Sequence, residues 1–352
     1  MNKYFLGLDG GSTKTHIVLC NPAKGLLDLY TGGGTNYEAM PGGYTELYQV
    51  LKEMLDTLLG RHGLTTADIG RAAFGMAGVD TIKQHEEISK ILKNLGFTDF
   101  DLDNDCILGI KAATSRGYGI ACVSGTGYSV LGIDGNGKQL QIGGMGDMTG
   151  DYGGGGYIMT KSTAYIYGQL FKGYQPSLMT DMFMNTFGIN DKSDFMESLH
   201  VKFFNGDRDA YSLAVNRIIF EAAAAGDTPA KNILIESGTS YGESVMGILM
   251  NLDYESAPPE IVLVGSLFQK NPDSVLVTAL KDYLNGKFQK PYQLKVLDAP
   301  SVLGALLWAI DKNGEGIVPD HMREELSEKL QALTKTYSEL IRNQSSLSPK
   351  KR

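Results

Sequence analysis

The 352-residue sequence contains few cysteines, histidines and tryptophans: three, five and one, respectively. An odd number of cysteines without a CxxC spacing argues against a disulfide framework and against a cysteine-bound zinc site. The histidines are scattered and show no HExxH spacing. The sequence therefore predicts no transition-metal site.

Basic residues are also in the minority. Lys and Arg number 32 against 40 Asp and Glu, which gives a formal net charge of −8. Recognition of nucleic acid requires a basic surface, so we expect no nucleic-acid partner. No apolar run approaches the roughly 20 residues of a membrane helix, and the first residues lack the basic and apolar regions of a signal peptide. We therefore expect a soluble, cytoplasmic protein with no membrane partner.

Glycine, in contrast, is abundant: 44 residues are glycine, well above the usual share of roughly 7%. Two glycine-rich loops each separate two β-type apolar runs. They are Gly10–Lys14, between Tyr4–Asp9 and Thr15–Cys20, and Ser124–Gly127, between Gly119–Val123 and Tyr128–Asp134. The pattern of strand, tight turn and strand thus occurs twice and predicts a duplicated architecture.

Between and beyond these loops, helical periodicity alternates with short apolar runs. Helices are expected near residues 44–59, 82–95, 208–225, 228–250 and 319–345, and strands near 71–78, 97–103 and 261–264. This alternation predicts an α/β fold. The length suits two domains of roughly 100–200 residues each.

The glycine loops suit phosphate binding. A glycine-rich turn lets successive backbone N–H groups point at one anion, and Ser12, Thr13 and Lys14 add further donors to the first loop. Both loops are flanked by strands, so neither matches the P-loop or the Rossmann fingerprint, which precede helices. One such loop alone is typical of an ordinary β-turn. Two in matching context favour a nucleotide triphosphate held between two domains.

Two acidic residues stand at strand ends. Asp9 precedes the first glycine loop, where its carboxylate could hold Mg²⁺ or, alternatively, cap its own turn. Asp105 follows another strand and precedes a helix-like segment. It is a candidate general base for an acceptor hydroxyl that attacks a phosphate, and the alternative is a plain helix N-cap.

Several motifs resemble those of the actin/Hsp70/hexokinase superfamily. Leu8–Thr15 resembles its first phosphate motif, Ser124–Gly127 its second, and Val262–Ser266 its adenosine motif. Within that superfamily the sequence is most similar to the BadF/BadG-type group, which includes N-acetylglucosamine kinases. The stretches that carry this similarity are Gly34–Tyr37, Phe74–Gly78, Asn104-Asp105, Gly143–Gly146 and Gly150-Asp151.

The resemblance implies two ribonuclease H-like domains of the actin-like ATPase type, with a nucleotide cleft between them. We expect an N-terminal ATPase and sugar-binding lobe at residues 1–115 and a C-terminal ATPase lobe at 116–345. Residues 346–352 are expected to form a disordered tail.

The resemblance also assigns site residues. Asp9 would organise Mg²⁺, and Asp105 would be the catalytic base. The ATP-binding positions would be Gly10, Gly11, Ser12, Thr13, Lys14, Gly125, Thr126, Gly127, Gly265 and Ser266. The sugar-binding positions would be Asn36, Tyr37, Asp105, Met145, Gly146 and Asp151. Many amino-sugar kinases carry Trp at the position of Met145, so the sugar platform differs here.

The function implied is an ATP-dependent kinase that phosphorylates N-acetylglucosamine or a related hexosamine on a hydroxyl, at C6 by resemblance, and that forms a homodimer. Glucosamine and N-acetylmuramic acid stay open as acceptors. The alternative is a BadF/BadG-type activase ATPase for a dehydratase, which needs cysteines for a bridging iron–sulfur cluster. A transcriptional regulator would need a basic helix-turn-helix, and a chaperone-like or filament ATPase would leave Asp105 unexplained.

Overall fold

The computed structural model describes residues 4–114, 116–255, 257–311 and 318–347, with the backbone alone for 337–347. These residues form two compact units. Unit 1 contains the described chain up to Gly119 together with the chain from Leu297 onward, and unit 2 is Ile120–Val296.

Each unit is built on a five-stranded sheet. The strands are β1 (Tyr4–Gly10), β2 (Lys14–Asn21), β3 (Leu26–Gly33), β4 (Ile69–Met76), β5 (Phe100–Asp103), β6 (Gly119–Ser124), β7 (Tyr128–Ile133), β8 (Gln139–Gly143), β9 (Glu260–Val264) and β10 (Gln293–Val296).

Helices join and cover the strands. They are α1 (Gly43–Gly60), α2 (Ile82–Asn94), α3 (Ile107–Ala113), α4 (Gly155–Lys172), α5 (Leu178–Phe187), α6 (Phe195–Leu199), α7 (Arg208–Ala224), α8 (Thr228–Asn251), α9 (Ser266–Lys270), α10 (Val275–Lys287), α11 (Val302–Ile310) and α12 (Asp320–Leu347). Short 3-10 turns lie at Pro22–Lys24, Tyr37–Ala39, Thr66–Asp68, Gly146–Thr149 and Lys192–Asp194, and a π-helical turn at His200–Phe204. None of the described helices is both long enough and apolar enough to cross a membrane.

The two sheets share one strand order. In unit 1 the order is β3-β2-β1-β4-β5, and in unit 2 it is β10-β9-β6-β7-β8, the same arrangement read from the opposite edge. The first strand of each set adjoins its glycine-loop partner on one side and a parallel strand on the other. The duplicated architecture predicted from the sequence is therefore confirmed.

Opposite faces of the first sheet are covered by different helices. Leu6, Leu8, Ile17 and Leu19 face the side on which α1 and α2 pack, and all four are buried. α1 presents apolar side chains at three- and four-residue spacing, which is the pattern of a helix with one buried stripe. The other face of β1 packs against α11.

The chain crosses from unit 2 back to unit 1 at Leu297, which differs from the predicted C-terminal lobe of residues 116–345. The reason is the packing of α11, which contacts β1, β2, β4 and α3 and has every one of its residues buried. The predicted boundary near residue 115 lies close to the observed first crossing at Gly119. Of the predicted tail 346–352, residues 346 and 347 belong to α12, and 348–352 lie outside the described residues.

Candidate active site

The first glycine loop is a tight turn between β1 and β2. The N–H of Gly11 donates to the carbonyl oxygen of Lys14 at 3.0 Å. Ser12, Thr13 and Lys14 are exposed, so their hydroxyl and ammonium groups are accessible to a ligand. The adjacent Gly10 is buried at the end of β1.

The segment after β3 folds against this loop. The N–H of Thr35 donates to the carbonyl oxygen of Gly11 at 2.9 Å, and the buried hydroxyls of Thr35 and Thr15 hydrogen-bond at 2.9 Å. A Cβ on Gly34 would overlap the backbone of Ser12, so only glycine allows this approach. The Nδ2 of Asn36 donates to the Ser12 hydroxyl at 3.1 Å. Asn36 and the phosphate-loop candidates are thus neighbours in unit 1.

Tyr37 is held by protein groups at both its ring and its hydroxyl. The ring stacks on Tyr44 with centroids 4.1 Å apart. The hydroxyl oxygen accepts a hydrogen bond from Gln84 Nε2 at 2.7 Å and donates one to Glu38 at 3.3 Å. Gln84 belongs to α2, so this contact ties the Asn36–Tyr37 segment to a helix of the core.

Asp9 and Asp105 both have raised pKa values, and the charge of Asp105 acts on Asp9. Burial, followed by the negative charge of Asp105, raises the pKa of Asp9 to about 7, and Lys14 opposes that rise. Burial, followed by the charge of Asp80, raises the pKa of Asp105 to about 6. A carboxyl group with a pKa near neutrality can accept a proton and release it again under physiological conditions.

A hydrogen bond of the Asn104 side chain stabilises the turn that carries Asp105. The Oδ1 of Asn104 accepts a hydrogen bond from the N–H of Cys106 at 2.9 Å, immediately before α3. The Asn104 side chain therefore holds the turn between β5 and α3, while the N-cap residue of α3, Cys106, makes no side-chain capping hydrogen bond. The Asp105 carboxylate also accepts a hydrogen bond from the backbone N–H of Cys106, so Asp105 contributes to holding this turn as well.

In unit 2, the second glycine loop is attached to the start of α4. The carbonyl oxygens of Gly125 and Thr126 accept hydrogen bonds from the N–H groups of Gly155 and Gly156, both at 2.9 Å. Asn216 of α7 in turn donates from Nδ2 to the carbonyl oxygen of Gly155 at 3.1 Å. Thr126 and Gly127 are exposed at the tip of the loop.

Asp151 organises the segment that follows β8. Its Oδ2 accepts hydrogen bonds from the N–H groups of Gly144 at 2.9 Å and Gly146 at 2.7 Å, and its Oδ1 accepts one from the Thr149 hydroxyl at 2.8 Å. Asp151 is only 7% exposed. Its position indicates that it shapes the 144–150 turn, whereas Met145 in that turn is 72% exposed.

A groove of about 700 Å³ in unit 2 brings several predicted residues together. Thr126, Gly127, Gly146 and Asp151 line it, so the second glycine loop and the 144–151 segment share one cavity. Its far wall carries Lys161 and Glu236, which form an ion pair at 3.4 Å. Met145 is not among the residues that line it.

The adenosine motif lies beside the second glycine loop. Gly265 has a φ of +105°, and a Cβ at this position would overlap the carbonyl oxygen of Ser124 at the end of β6. Ser266 lines a second groove of about 670 Å³ formed by α7 and α9, together with Asn216, Arg217 and Lys270. The groove is large enough for a nucleoside.

Asn216 and Asn104 are not among the predicted site residues, although Asn104 belongs to one of the motifs that resemble the family. Both are 5% exposed. Asn216 sits among the apolar positions of α7, next to Val215 and two residues before Ile218, on the buried face of the helix. A polar amide at such a position indicates a required hydrogen bond, and this is the signal that could have identified it.

Comparison with known proteins identifies the family of this chain. The model of the BadF/BadG/BcrA/BcrD ATPase family matches residues 6–309. The chain belongs to this family. The family membership is therefore confirmed, and it implies ATP as the nucleotide. It was predicted from the stretches Gly34–Tyr37, Phe74–Gly78, Asn104-Asp105, Gly143–Gly146 and Gly150-Asp151.

Two curated relatives match the chain over nearly their full length. An N-acetylmuramic acid/N-acetylglucosamine kinase from Clostridium acetobutylicum is 23% identical over 309 residues, which cover 87% of this chain and 98% of the relative. An N-acetyl-D-glucosamine kinase from Dictyostelium discoideum is 24% identical over 322 residues, which cover 86% of this chain and 97% of the relative.

Solved structures show the same fold. A protein from Chromobacterium violaceum, described as a candidate N-acetylglucosamine kinase, aligns with a TM-score of 0.65 at 22% identity. The alignment covers 87% of the present chain and 98% of the Chromobacterium protein. A ROK family glucokinase from Streptomyces griseus, solved with glucose and AMPPNP, aligns with a TM-score of 0.55 at 13% identity. The alignment covers 88% of the present chain and 99% of the glucokinase. The chain thus has the two-domain actin-like ATPase fold predicted from its sequence.

Proposed function

We propose that this protein is an ATP-dependent kinase that transfers the γ-phosphoryl group of ATP to a hydroxyl of an amino sugar. The observation that carries the proposal is Asp105, a carboxyl group with a pKa raised to about 6 in the same unit as the first glycine loop. The two curated relatives, both named as kinases of N-acetylated amino sugars, support the class of acceptor.

Asp105 acts as the general base in this proposal. An alcohol is a poor nucleophile near neutral pH, and a positioned carboxylate that accepts its proton contributes typically ~10²–10⁴-fold to the rate. The Asp105 carboxylate takes the proton as the sugar oxygen bonds to phosphorus and the bond to the leaving ADP breaks. Above pH 6 or so the base is ionised and ready, because its pKa is about 6.

The nucleotide is held by groups from both glycine loops and the adenosine motif. Ser12, Thr13 and Lys14 supply exposed donors in unit 1, and Thr126 supplies one in unit 2. We assign the adenosine moiety to the groove beside Ser266. Because phosphoryl transfer has a loose transition state, such donors contribute mainly by positioning and by stabilising charge. The binding of the nucleotide between the units stays a prediction.

Asp9 is suited to organise Mg²⁺. Magnesium is commonly bound by one or two protein carboxylates, with water and substrate phosphates completing its shell. Asp9 offers one hard oxygen donor group, and the burial and neighbouring negative charge that raise its pKa are conditions that a bound cation would offset. The ion would neutralise charge on the β- and γ-phosphates. The residues therefore fit the ion that the family resemblance implies.

The acceptor is assigned to Asn36, Tyr37 and Asp105 in unit 1 and to the groove lined by Gly146 and Asp151 in unit 2. We propose the primary hydroxyl at C6 as the reacting group, on the resemblance to N-acetylglucosamine kinases. Met145, exposed where many relatives carry Trp, would present a flexible thioether in place of a flat ring. We therefore expect Met145 to contact the sugar less tightly than a stacked tryptophan ring would.

An ADP-release assay with a panel of sugars tests the proposal. The panel contains N-acetylglucosamine, glucosamine, N-acetylmuramic acid and glucose, each with ATP and Mg²⁺, and a sample without sugar. We expect release that depends on an amino sugar, with a 6-phosphate product identified by mass spectrometry and NMR. ADP release that no sugar stimulates would reject the kinase and leave the activase ATPase.

The structure gives the activase little support. All three cysteines, Cys20, Cys106 and Cys122, are buried in their own units. A bridging iron–sulfur cluster requires thiolates that reach a common site between subunits. The homodimer implied by the resemblance stays a prediction, which light scattering coupled to size-exclusion chromatography would test.

A further inference from the structure

A single buried amide connects Asp80 to the turn that carries Asp105. The Nδ2 of Asn104 donates to the Oδ1 of Asp80 at 2.9 Å, while the Oδ1 of the same side chain accepts from the N–H of Cys106 at 2.9 Å. Asn104 is 5% exposed, so its amide is shielded from water, whereas Asp80 at the other end of the contact is exposed. Asp80 lies in the connection between β4 and α2, outside the motifs that resemble known kinases.

Asp80 is also linked to the segment assigned to the sugar. Its N–H donates to Gln84 Oε1 at 3.0 Å, and Gln84 Nε2 donates to the Tyr37 hydroxyl at 2.7 Å. A continuous series of hydrogen bonds therefore runs from the Asp105 turn through Asn104, Asp80 and Gln84 to Tyr37. Both ends of this series lie at predicted acceptor positions.

Capping of α2 does not account for Asp80. The N-cap of that helix is Thr81, whose hydroxyl oxygen accepts a hydrogen bond from the N–H of Gln84 at 3.3 Å. The Asp80 carboxylate is directed to Asn104 instead. An exposed carboxylate that binds a buried amide costs little to desolvate and fixes the amide orientation.

We propose that Asp80 is a positioning residue for the catalytic base: through Asn104 it fixes the turn that carries Asp105. The inference rests on the proposed function of Asp105. Asp80 also places a negative charge near Asp105, which makes the base harder to ionise and therefore a stronger proton acceptor. The other groups around the pair are Asp9, whose neighbour is Lys14, and the side chains of Asp103 and Cys106 on the turn itself.

Two substitutions separate the hydrogen bond from the charge. Asp80→Asn keeps an oxygen that can accept from Asn104 and removes the charge, whereas Asp80→Ala removes both. Asp56→Asn, a surface substitution on α1 where Asp56 pairs with Lys52, controls for the change in net charge. The readouts are kcat between pH 5 and 9, KM for ATP, and the melting temperature.

We expect the acid limb of the kcat profile to move to lower pH in Asp80→Asn by roughly half a unit or more, since a like charge is lost. In Asp80→Ala we expect kcat on the plateau to fall roughly 10–100-fold, because a displaced base loses its alignment. KM for ATP should stay within about twofold in both, and Asp56→Asn should match the wild type. Profiles of both Asp80 variants that superpose on the wild type would overturn the proposal.

A measurement that needs no turnover separates this inference from the kinase assignment. Carboxyl ¹³C resonances of the labelled full-length protein can be titrated, with the Asp105 signal identified by its loss in Asp105→Asn. In Asp80→Asn we expect the Asp105 titration to shift to lower pH. An unchanged titration would refute the link between Asp80 and Asp105 even in a protein that phosphorylates sugars, and a shifted one would support it even if no sugar is phosphorylated.

Discussion

His16 lies directly opposite Asp9 in the antiparallel pairing of β1 with β2. The Nε2 atom of His16 is buried and has no hydrogen-bond partner among the described residues, and on its other side His16 pairs with Thr31 of β3. Burial, followed by the charge of Lys14, lowers the pKa of His16 to about 3. The histidine is therefore neutral beside the predicted magnesium ligand at any physiological pH.

This neutrality predicts a loss of stability in acid. The unfolded chain would protonate His16 near pH 6.5 and the folded chain only near pH 3, so stability is present above pH 6.5 and declines as the pH falls. Each unit of pKa difference corresponds to ~1.4 kcal/mol, which is an upper bound for a group that is not fully buried. The melting temperature of His16→Gln should therefore fall less steeply than that of the wild type as the pH is lowered from 6.5 to 4.

His200, which is exposed, provides the matched control for this experiment. His200→Gln should follow the wild-type dependence on pH. Equal slopes for His16→Gln and the wild type would show that His16 is not the group responsible.

Asp105→Asn tests whether Asp105 is the catalytic base. We expect a folded variant that binds ATP but transfers phosphate at least ~100-fold more slowly. In the wild type, kcat should rise with pH through about 6, because Asp105 must be ionised to accept a proton. Rates from a coupled assay, beside ATP titrations by calorimetry, give both quantities. Turnover of Asp105→Asn near the wild-type rate would remove Asp105 from the mechanism.

Asp9→Asn should stabilise the fold while it impairs turnover with Mg²⁺. The pKa of Asp9 is raised to about 7 in the folded protein, from 3.8 in the unfolded chain, so the folded state favours the neutral carboxyl group. Its contribution to stability is therefore fully present below pH 3.8 and is lost as the pH rises through about 7. Removing the charge should therefore raise the melting temperature at pH 8, and the difference should vanish near pH 4. A lower melting temperature at pH 8 would contradict the assigned burial.

Gly125→Ala and Gly265→Ala should differ in their effect on stability. A Cβ on Gly125 would meet no atom within 4 Å, so this variant should melt like the wild type and show a raised KM for ATP. A Cβ on Gly265 would overlap the Ser124 carbonyl, and its φ of +105° disfavours alanine, so this variant should lose several °C in melting temperature. If Gly125→Ala leaves KM for ATP unchanged, the second loop does not bind the nucleotide closely.

Asn216→Ala should weaken ATP binding without affecting the sugar. The substitution leaves the carbonyl oxygen of Gly155 without its Asn216 contact, and Gly155 anchors the second glycine loop through Gly125. We expect KM for ATP to rise several-fold and KM for the sugar to stay within about twofold. Asn251→Ala, at an exposed amide near the end of α8, is the control. A change confined to the sugar KM would contradict the assignment.

The sequence predicted the local elements better than their assembly. The helix at 44–59 and the strand at 261–264 were found as α1 and β9, because their apolar periodicity is dictated by the surface that they bury. The strands β3 and β10 were not predicted, because their partly buried residues show no strong alternation.

Within the candidate site, the glycine loops and both acidic residues could be proposed from the sequence, because glycine-rich turns and acidic residues at strand ends are recognised from residue type and order alone. Contacts between distant segments were not. Asn104 and Asp80 are 24 positions apart, and no periodicity connects them. The closed set of hydrogen bonds around Asp151 likewise depends on a turn conformation that composition does not determine.

The return of the chain to unit 1 at Leu297 makes unit 2 an insertion in the sequence of unit 1. During synthesis, the face of β1 that meets α11 stays uncovered until the whole of unit 2 has been translated, since α11 begins at Val302. Unit 2 is contiguous and can complete its sheet first, whereas unit 1 closes last and only with both of its segments present. A chain that terminates within or just after unit 2 would therefore present an unfinished apolar surface, a target for chaperones and proteases.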